Sequence, residues 1–314
     1  MAHRVLNTQE YLTNEARDYL LAHDCEIIFN DLLNAPEDET CAALADIDAT
    51  IAGGEFYTPR VFEAATRLKC ISRTGAGYDR VDLDAATKHG VRVTNTPGAT
   101  SPAVAEFALG LILSVLRCIP PMVMDLKQGR WNPVRGTELA ASTLGVVGAG
   151  SIGKYVIRLA RGFGARVIAC DPYEDAEFAG KWQVTYMPLD DLLSEADVVT
   201  LHTLLSDETR GLIDERRLRL MKKTAYLVNT SRGPVVKTDD LVSVLKDRAI
   251  AGCATDVYDT FPVDPAEPLI HLDNVIPTPS TAYNTQDAVN RMCHAAVRDL
   301  VAVVTGGTPK HPVN

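Results

Sequence analysis

The stretch Gly148-Ala149-Gly150-Ser151-Ile152-Gly153 follows the apolar run Leu144–Val147 and precedes a helical pattern that starts near Lys154. With a strand before it and a helix after it, G-x-G-x-x-G marks a turn at which bare backbone can approach a pyrophosphate. Gly148 permits the tight turn, Gly150 removes the Cβ that would stand in the way, and Gly153 lets helix and strand pack closely. The first helical N–H groups, at Ser151 and Ile152, then face the phosphate charge. The next apolar run, Arg166–Cys170, ends at Asp171, close to the spacing expected of an acid that accepts hydrogen bonds from both adenosine hydroxyls. A carboxylate there repels a 2′-phosphate. The pattern predicts NAD, not NADP, as the cofactor.

Elements able to hold such a site are spaced along the whole chain. Short β-like runs alternate with helical stretches, which predicts an α/β fold of two doubly wound parallel-sheet domains. Strands are expected at Arg4–Asn7, Glu26–Phe29, Ala49–Ala52, Cys70–Arg73 and Arg92–Thr94, with helices at Glu15–Leu21 and Val61–Ala65. An apolar helix from Pro102 to Cys118 follows, broken by Pro120-Pro121. Because nearly every face of it is apolar, it is expected to lie between domains or subunits. A second alternation places strands at Leu144–Val147, Arg166–Ala169, Val184–Tyr186, Val198–His202, Ala225–Asn229, Ala251–Ala254 and Asn274–Pro277. Its helices include Ile152–Gly162 and Thr238–Lys246, and a last helix, Gln286–Val304, is expected to return to the first domain.

The 314 residues suffice for two ordinary domains, and 46% hydrophobic with 23% charged residues is a globular balance. A formal net charge of −10 argues against nucleic acid as a partner and leaves no basic stripe for a membrane. The N-terminus lacks the apolar stretch of a signal peptide. The seven cysteines form no C-x-x-C pair and read as free thiols in a reducing cytoplasm, with neither a disulfide framework nor a metal site.

Several segments in order resemble the D-isomer-specific 2-hydroxyacid dehydrogenases. They are Arg73-Thr74-Gly75-Ala76-Gly77-Tyr78-Asp79, Val104-Ala105-Glu106, Leu201-His202-Thr203, Asn229-Thr230-Ser231-Arg232-Gly233 and Asp256-Val257-Tyr258. The resemblance implies a discontinuous, flavodoxin-like substrate domain (1–98 plus 286–314), a Rossmann NAD-binding domain (99–285), and a homodimer formed largely through the latter. It implies that the amides of Ala76 and Gly77 hold a small substrate carboxylate near Arg73, with Thr100 close by. Arg232 would grip the substrate and polarise the bond that receives hydride, a task suited to a permanently charged fork. Asp256 would orient the nicotinamide carboxamide, Thr230 and Ser231 would line the same wall, and His202 and Thr203 would lie near the adenosine end.

At two positions the chain departs from the family. The family pairs a histidine, directly after Thr-Pro, with a glutamate five residues beyond the aspartate of Asp-Val. Here Ser280 follows Thr278-Pro279, and Phe261 stands five residues after Asp256. Serine has no useful pKa near neutrality, and losing an acid/base group typically costs about 10²–10⁴-fold in rate. Arg232 and Ser280 are left as the expected catalytic positions, with Ser280 also bordering the cofactor. Tyr258, Asp259, Asp264 and Tyr283 are nearby groups expected to shape the pocket. The leading expectation is an NAD-dependent oxidoreductase of small 2-hydroxy or 2-oxo acids with altered proton delivery, the proton coming from water, a tyrosine or the substrate. A non-catalytic NAD(H)-sensing protein of the same fold, as the C-terminal-binding-protein corepressors illustrate, is the alternative.

Overall fold

A computed structural model describes residues 2–314. In chain order the elements are β1 (His3–Asn7), α1 (Asn14–Leu21), β2 (Cys25–Phe29), α2 (Glu37–Leu44), β3 (Ala49–Ala52), α3 (Pro59–Ala64), β4 (Cys70–Arg73), α4 (Leu83–Lys88) and β5 (Arg92–Thr94). There follow α5 (Ser101–Leu116), α6 (Ile119–Lys127), β6 (Thr143–Val147), α7 (Ser151–Gly162), β7 (Arg166–Cys170), α8 (Ala176–Trp182), β8 (Val184–Tyr186), α9 (Leu189–Glu195) and β9 (Val198–Leu201). The chain ends with α10 (Glu215–Leu218), β10 (Tyr226–Asn229), α11 (Thr238–Lys246), β11 (Gly252–Thr255), β12 (Val275–Pro277) and α12 (Gln286–Val304). Two compact units result, one of residues 1–100 with 284–314 and one of residues 101–283. The sequence reading set these divisions at 98/99 and 285/286.

The first unit is a five-stranded sheet in the order β2-β1-β3-β4-β5, with all pairings parallel. β3 and β4 are buried along their whole length, as a sheet covered on both faces requires. One cover is α12, which starts where Thr285 accepts a hydrogen bond from the Ala288 amide and then lies against β3, β4 and β5. The buried hydroxyl of Ser72 on β4 donates to the Ala296 carbonyl of this helix at 2.9 Å.

The second unit is a seven-stranded parallel sheet, β12-β11-β10-β9-β6-β7-β8. The strand order reverses between β6 and β9, and open α/β sheets take ligands at such a reversal, beyond the carboxyl ends of the strands. The apolar helix α5 packs within this unit against α7, β10 and β11. Ten of its sixteen residues are buried. Pro120 and Pro121 do more than break a helix: α5 stops at Leu116, Cys118 takes a left-handed conformation (φ 52°), and the prolines occupy the first turn of α6, where they forfeit no intrahelical bond.

All seven cysteines are free, four of them buried. No single helix among the described residues is long and apolar enough to cross a membrane. Leu300 of α12 is fully buried in the first unit. Its replacement by alanine is expected to destabilise that unit by about 2–5 kcal/mol, read as a lowered urea midpoint with unchanged NADH binding.

Candidate active site

The glycine loop leaves β6 with Gly148 at φ +91°, a conformation that side chains disfavour. A Cβ there would also stand 2.7 Å from the carbonyl carbon of His202, so the loops after β6 and β9 touch at the reversal. At Gly153 a Cβ would meet the Gly148 carbonyl oxygen at 2.1 Å, which shows how tightly α7 is drawn onto the strand end. In front of Gly150 there is open space. α7 begins at Gly150, which, like the residues that open α2, α6, α9 and α11, makes no side-chain cap. Its first N–H groups are presented toward that space, which fits a bound pyrophosphate.

Asp171 stands just past β7. One of its oxygens accepts from the Ala149 amide at 2.7 Å and the other from Tyr173 N at 2.8 Å. A carboxylate has about four acceptor sites, so each oxygen retains one for a ribose hydroxyl. His202 follows β9 directly, and its backbone N–H extends the ladder to Val147 O at 2.8 Å. Its ring lies 3.0 Å from the Thr200 hydroxyl through Nε2. Nδ1 is buried without a partner, as are the hydroxyls of Thr203 and Thr230. Burial pushes the His202 pKa down to about 3, leaving a neutral imidazole. Buried polar atoms without partners are costly, and these three lie just beyond the ends of β9 and β10, where a polar ligand would satisfy them.

The Asn-Thr-Ser-Arg-Gly loop after β10 is folded by its first residue. Asn229 Oδ1 accepts from the Ser231 amide (3.0 Å) and hydroxyl (2.8 Å), and Asn229 Nδ2 donates to the Arg232 carbonyl at 3.0 Å. The Arg232 side chain is half-buried and donates through Nη1 to Ser231 O at 2.9 Å. Asp256, after β11, is 2% exposed. Its Oδ1 accepts from Thr278 Oγ1 (2.6 Å) and Thr281 N (3.0 Å), and its Oδ2 accepts from Ala282 N (2.8 Å). One acceptor site remains at Oδ2. These three bonds hold the segment that carries Ser280, which is half-buried with φ 55°. Sequence reading named Asp256 as a ligand contact but missed this bracing role, as it missed Asn229 and Thr278; the strand-end Asx and Thr residues are the available signal.

Tyr258 packs edge-on to Phe261 with ring centroids 6.4 Å apart, and its hydroxyl donates to Thr278 O at 2.9 Å. Burial first, and then the Asp256 charge, raise its pKa to about 12. The Asp259 carboxylate is exposed and takes the Thr238 hydroxyl, while Asp264 accepts from Ala266 N. In the first unit, Gly75 N donates to Thr96 Oγ1 at 2.7 Å and Arg73 Nε to the Gly77 carbonyl at 3.2 Å. The amides of Ala76 and Gly77 have no acceptor among the described residues. Thr100 is buried at the end of this unit.

Residues 109–282 match the model of the D-isomer specific 2-hydroxyacid dehydrogenase, NAD binding domain. A glyoxylate reductase of Thermofilum pendens is 40% identical over 94% of this chain and 90% of its own. The chain belongs to the D-isomer-specific 2-hydroxyacid dehydrogenases. A crystal structure of a Thermus thermophilus protein superposes on this dehydrogenase with TM-score 0.91 and 35% identity, covering 99% of this chain and 100% of that one. The D-lactate dehydrogenase of Lactobacillus jensenii, solved with NAD+, gives 0.79 and 27% over 99% of both chains. The second unit is the family's NAD-binding domain, and the protein is an NAD-dependent oxidoreductase. Nothing in these comparisons favours a non-catalytic sensor.

The buried imidazole makes this dehydrogenase acid-sensitive in a defined window. Unfolded, His202 takes a proton near pH 6.5; folded, it does so only near 3. Between those values the unfolded chain binds more protons, so stability falls as pH is lowered, by at most about 1.4 kcal/mol per unit from this group. His202→Asn is expected to flatten that slope in urea denaturation between pH 4 and 7. An unchanged slope would show the ring to be hydrated in the folded state.

Proposed function

We propose that this dehydrogenase reduces a small 2-oxo acid, with glyoxylate as the first substrate to try, and that it delivers the proton without an imidazole. The relation to a glyoxylate reductase supports the substrate class. The observation that carries the mechanism is the Arg232 loop, held at the carboxyl end of β10 by Asn229 and flanked by the Asp256-braced segment bearing Ser280. NADH, when bound, supplies the hydride.

The α7 start, with Gly148, Gly150, Ser151, Ile152 and Gly153, takes the pyrophosphate, and Asp171 takes the ribose hydroxyls. His202, Thr203, Thr230 and Ser231 line the cofactor wall, and Asp256 receives the carboxamide at its remaining Oδ2 site. In the first unit the Ala76 and Gly77 amides bind the substrate carboxylate, with Thr100 in support, which makes that unit the substrate-binding domain. In the second, the Arg232 guanidinium draws charge onto the carbonyl oxygen. Water supplies the proton to that oxygen, and the Ser280 hydroxyl positions it there by a hydrogen bond. Tyr258 is a poor donor, because its proton is committed to Thr278 O and its pKa is about 12. Neutral His202 has no ionisation near pH 7 to contribute.

A reducing, cytoplasmic setting suits the seven free thiols. A homodimer is supported by α6, which buries none of its residues and exposes Ile119, Val123, Met124 and Leu126 beside Trp131, itself 85% exposed. Light scattering is expected to give twice the chain mass, and Leu126→Asp to shift it toward one.

Activity is tested by NADH oxidation with glyoxylate, hydroxypyruvate and pyruvate. Without the family's histidine, kcat/KM is expected to show no titration between pH 6 and 8.5. The double variant Phe261→Glu/Ser280→His is expected to raise kcat by about 10²-fold and to introduce a limb near pH 7. Arg232→Lys is expected to lower kcat/KM by about 10²-fold or more. Tight NADH binding with no turnover of any 2-oxo acid would sink the proposal.

A further inference from the structure

The sheet of the first unit also has a reversal, between β1 and β3, where such sheets receive ligands. Here the crevice is filled by a carboxylate of the chain itself. Glu55 is 1% exposed. Its Oε1 accepts from Tyr57 OH at 2.6 Å and from Thr8 Oγ1 at 2.9 Å, and its Oε2 accepts from Gly53 N at 3.0 Å. Gly53 N also reaches Thr8 Oγ1 at 2.9 Å. Thr8 follows β1 and Gly53 follows β3, so one side chain ties the two strand ends together.

The tie continues to the substrate turn. Ala52, the last residue of β3, accepts at its carbonyl from both Thr74 N (3.1 Å) and Thr74 Oγ1 (3.2 Å). Thr74 opens the turn that is held further on by Thr96 at Gly75 N and by Arg73 at Gly77 O. The Arg73 charge also acts on the Tyr57 hydroxyl, opposing that of Glu55. A buried carboxylate is tolerable only with such donors and a nearby cation, and removing it would leave Tyr57 OH with Thr50 Oγ1 alone (3.3 Å), Thr8 Oγ1 with the Ile51 carbonyl as its acceptor (3.2 Å) and Gly53 N with Thr8 Oγ1 alone.

We propose that Glu55 is a positioning residue for the substrate carboxylate: by locking the ends of β1 and β3 it fixes the β4 turn so that the Ala76 and Gly77 amides are presented in one arrangement. This rests on the reading that those amides bind the carboxylate. Glu55 does not touch substrate; it acts through Gly53, Ala52 and Thr74.

The test compares Glu55→Ala and Glu55→Gln in the full chain. For Glu55→Ala, amide hydrogen exchange over residues 74–78 is expected to quicken, and the KM for glyoxylate to rise about tenfold, with kcat and the NADH Kd within twofold of wild type. Glutamine keeps the volume and one acceptor oxygen and is expected to recover most of the loss; if the alanine variant does not fold, Glu55→Gln and Glu55→Asp supply the same comparison. Unchanged exchange in a folded variant overturns the proposal, as does a fall in kcat at constant KM. In the wild type, oxalate with NAD is expected to slow exchange at Ala76 and Gly77. If exchange quickens in the variant but oxalate gives no protection and KM stays constant, the proposal fails through the carboxylate reading, not through the Glu55 tie.

Discussion

A parallel strand that ends inside a protein leaves backbone donors and acceptors with no ladder to join, and every functional loop of this dehydrogenase begins at such an end. Water cannot serve these groups where the loops are buried, so side chains must. Asp171 ties the loop after β6 to the end of β7, and Asp256 ties the end of β11 to the segment after β12. Asn229 folds the loop after β10 upon itself, and Glu55 joins β1 to β3. Three of these four groups are carboxylates. Multiple donors hold them rigid, and rigidity is what a site gains from them.

The same device explains how structure and ligand binding share residues. Asp171 and Asp256 each spend part of their acceptor capacity on the protein and keep the remainder. Their orientation is set before a ligand arrives, which lowers the cost of binding. α7 works the opposite way: its start has no side-chain cap, which leaves its first N–H groups to a ligand in the proposed reading. The hydroxyls of Thr203 and Thr230 and the Nδ1 of His202 are likewise buried without a partner.

Loss of the glutamate–histidine pair alters chemistry without disturbing this framework. Phe261 finds an apolar partner in Tyr258, and Ser280 sits on a segment whose geometry is dictated by Asp256. Both residues are thus accommodated by local contacts.

Much of this was legible in the sequence because it is written in local terms. β3, β4, β5, β8, α11 and α12 begin and end where pattern and capping residues put them, and G-x-G-x-x-G followed by Asp171 needs only spacing to be read. Long-range packing was not legible. The apolar surface of α5 does not name α7, β10 and β11 as its partners, and the prolines at 120–121 look like a stop because the left-handed turn at Cys118 that restarts the helix depends on context. Nor could spacing reveal that Asp256 braces residues 278–282 or that Glu55 lies buried against Thr8, since those contacts join residues about 20 to 50 positions apart. Residue type and periodicity determine which elements form and what chemistry they can carry; which buried charge meets which strand end is decided only when the sheet assembles, because the donors come from distant segments.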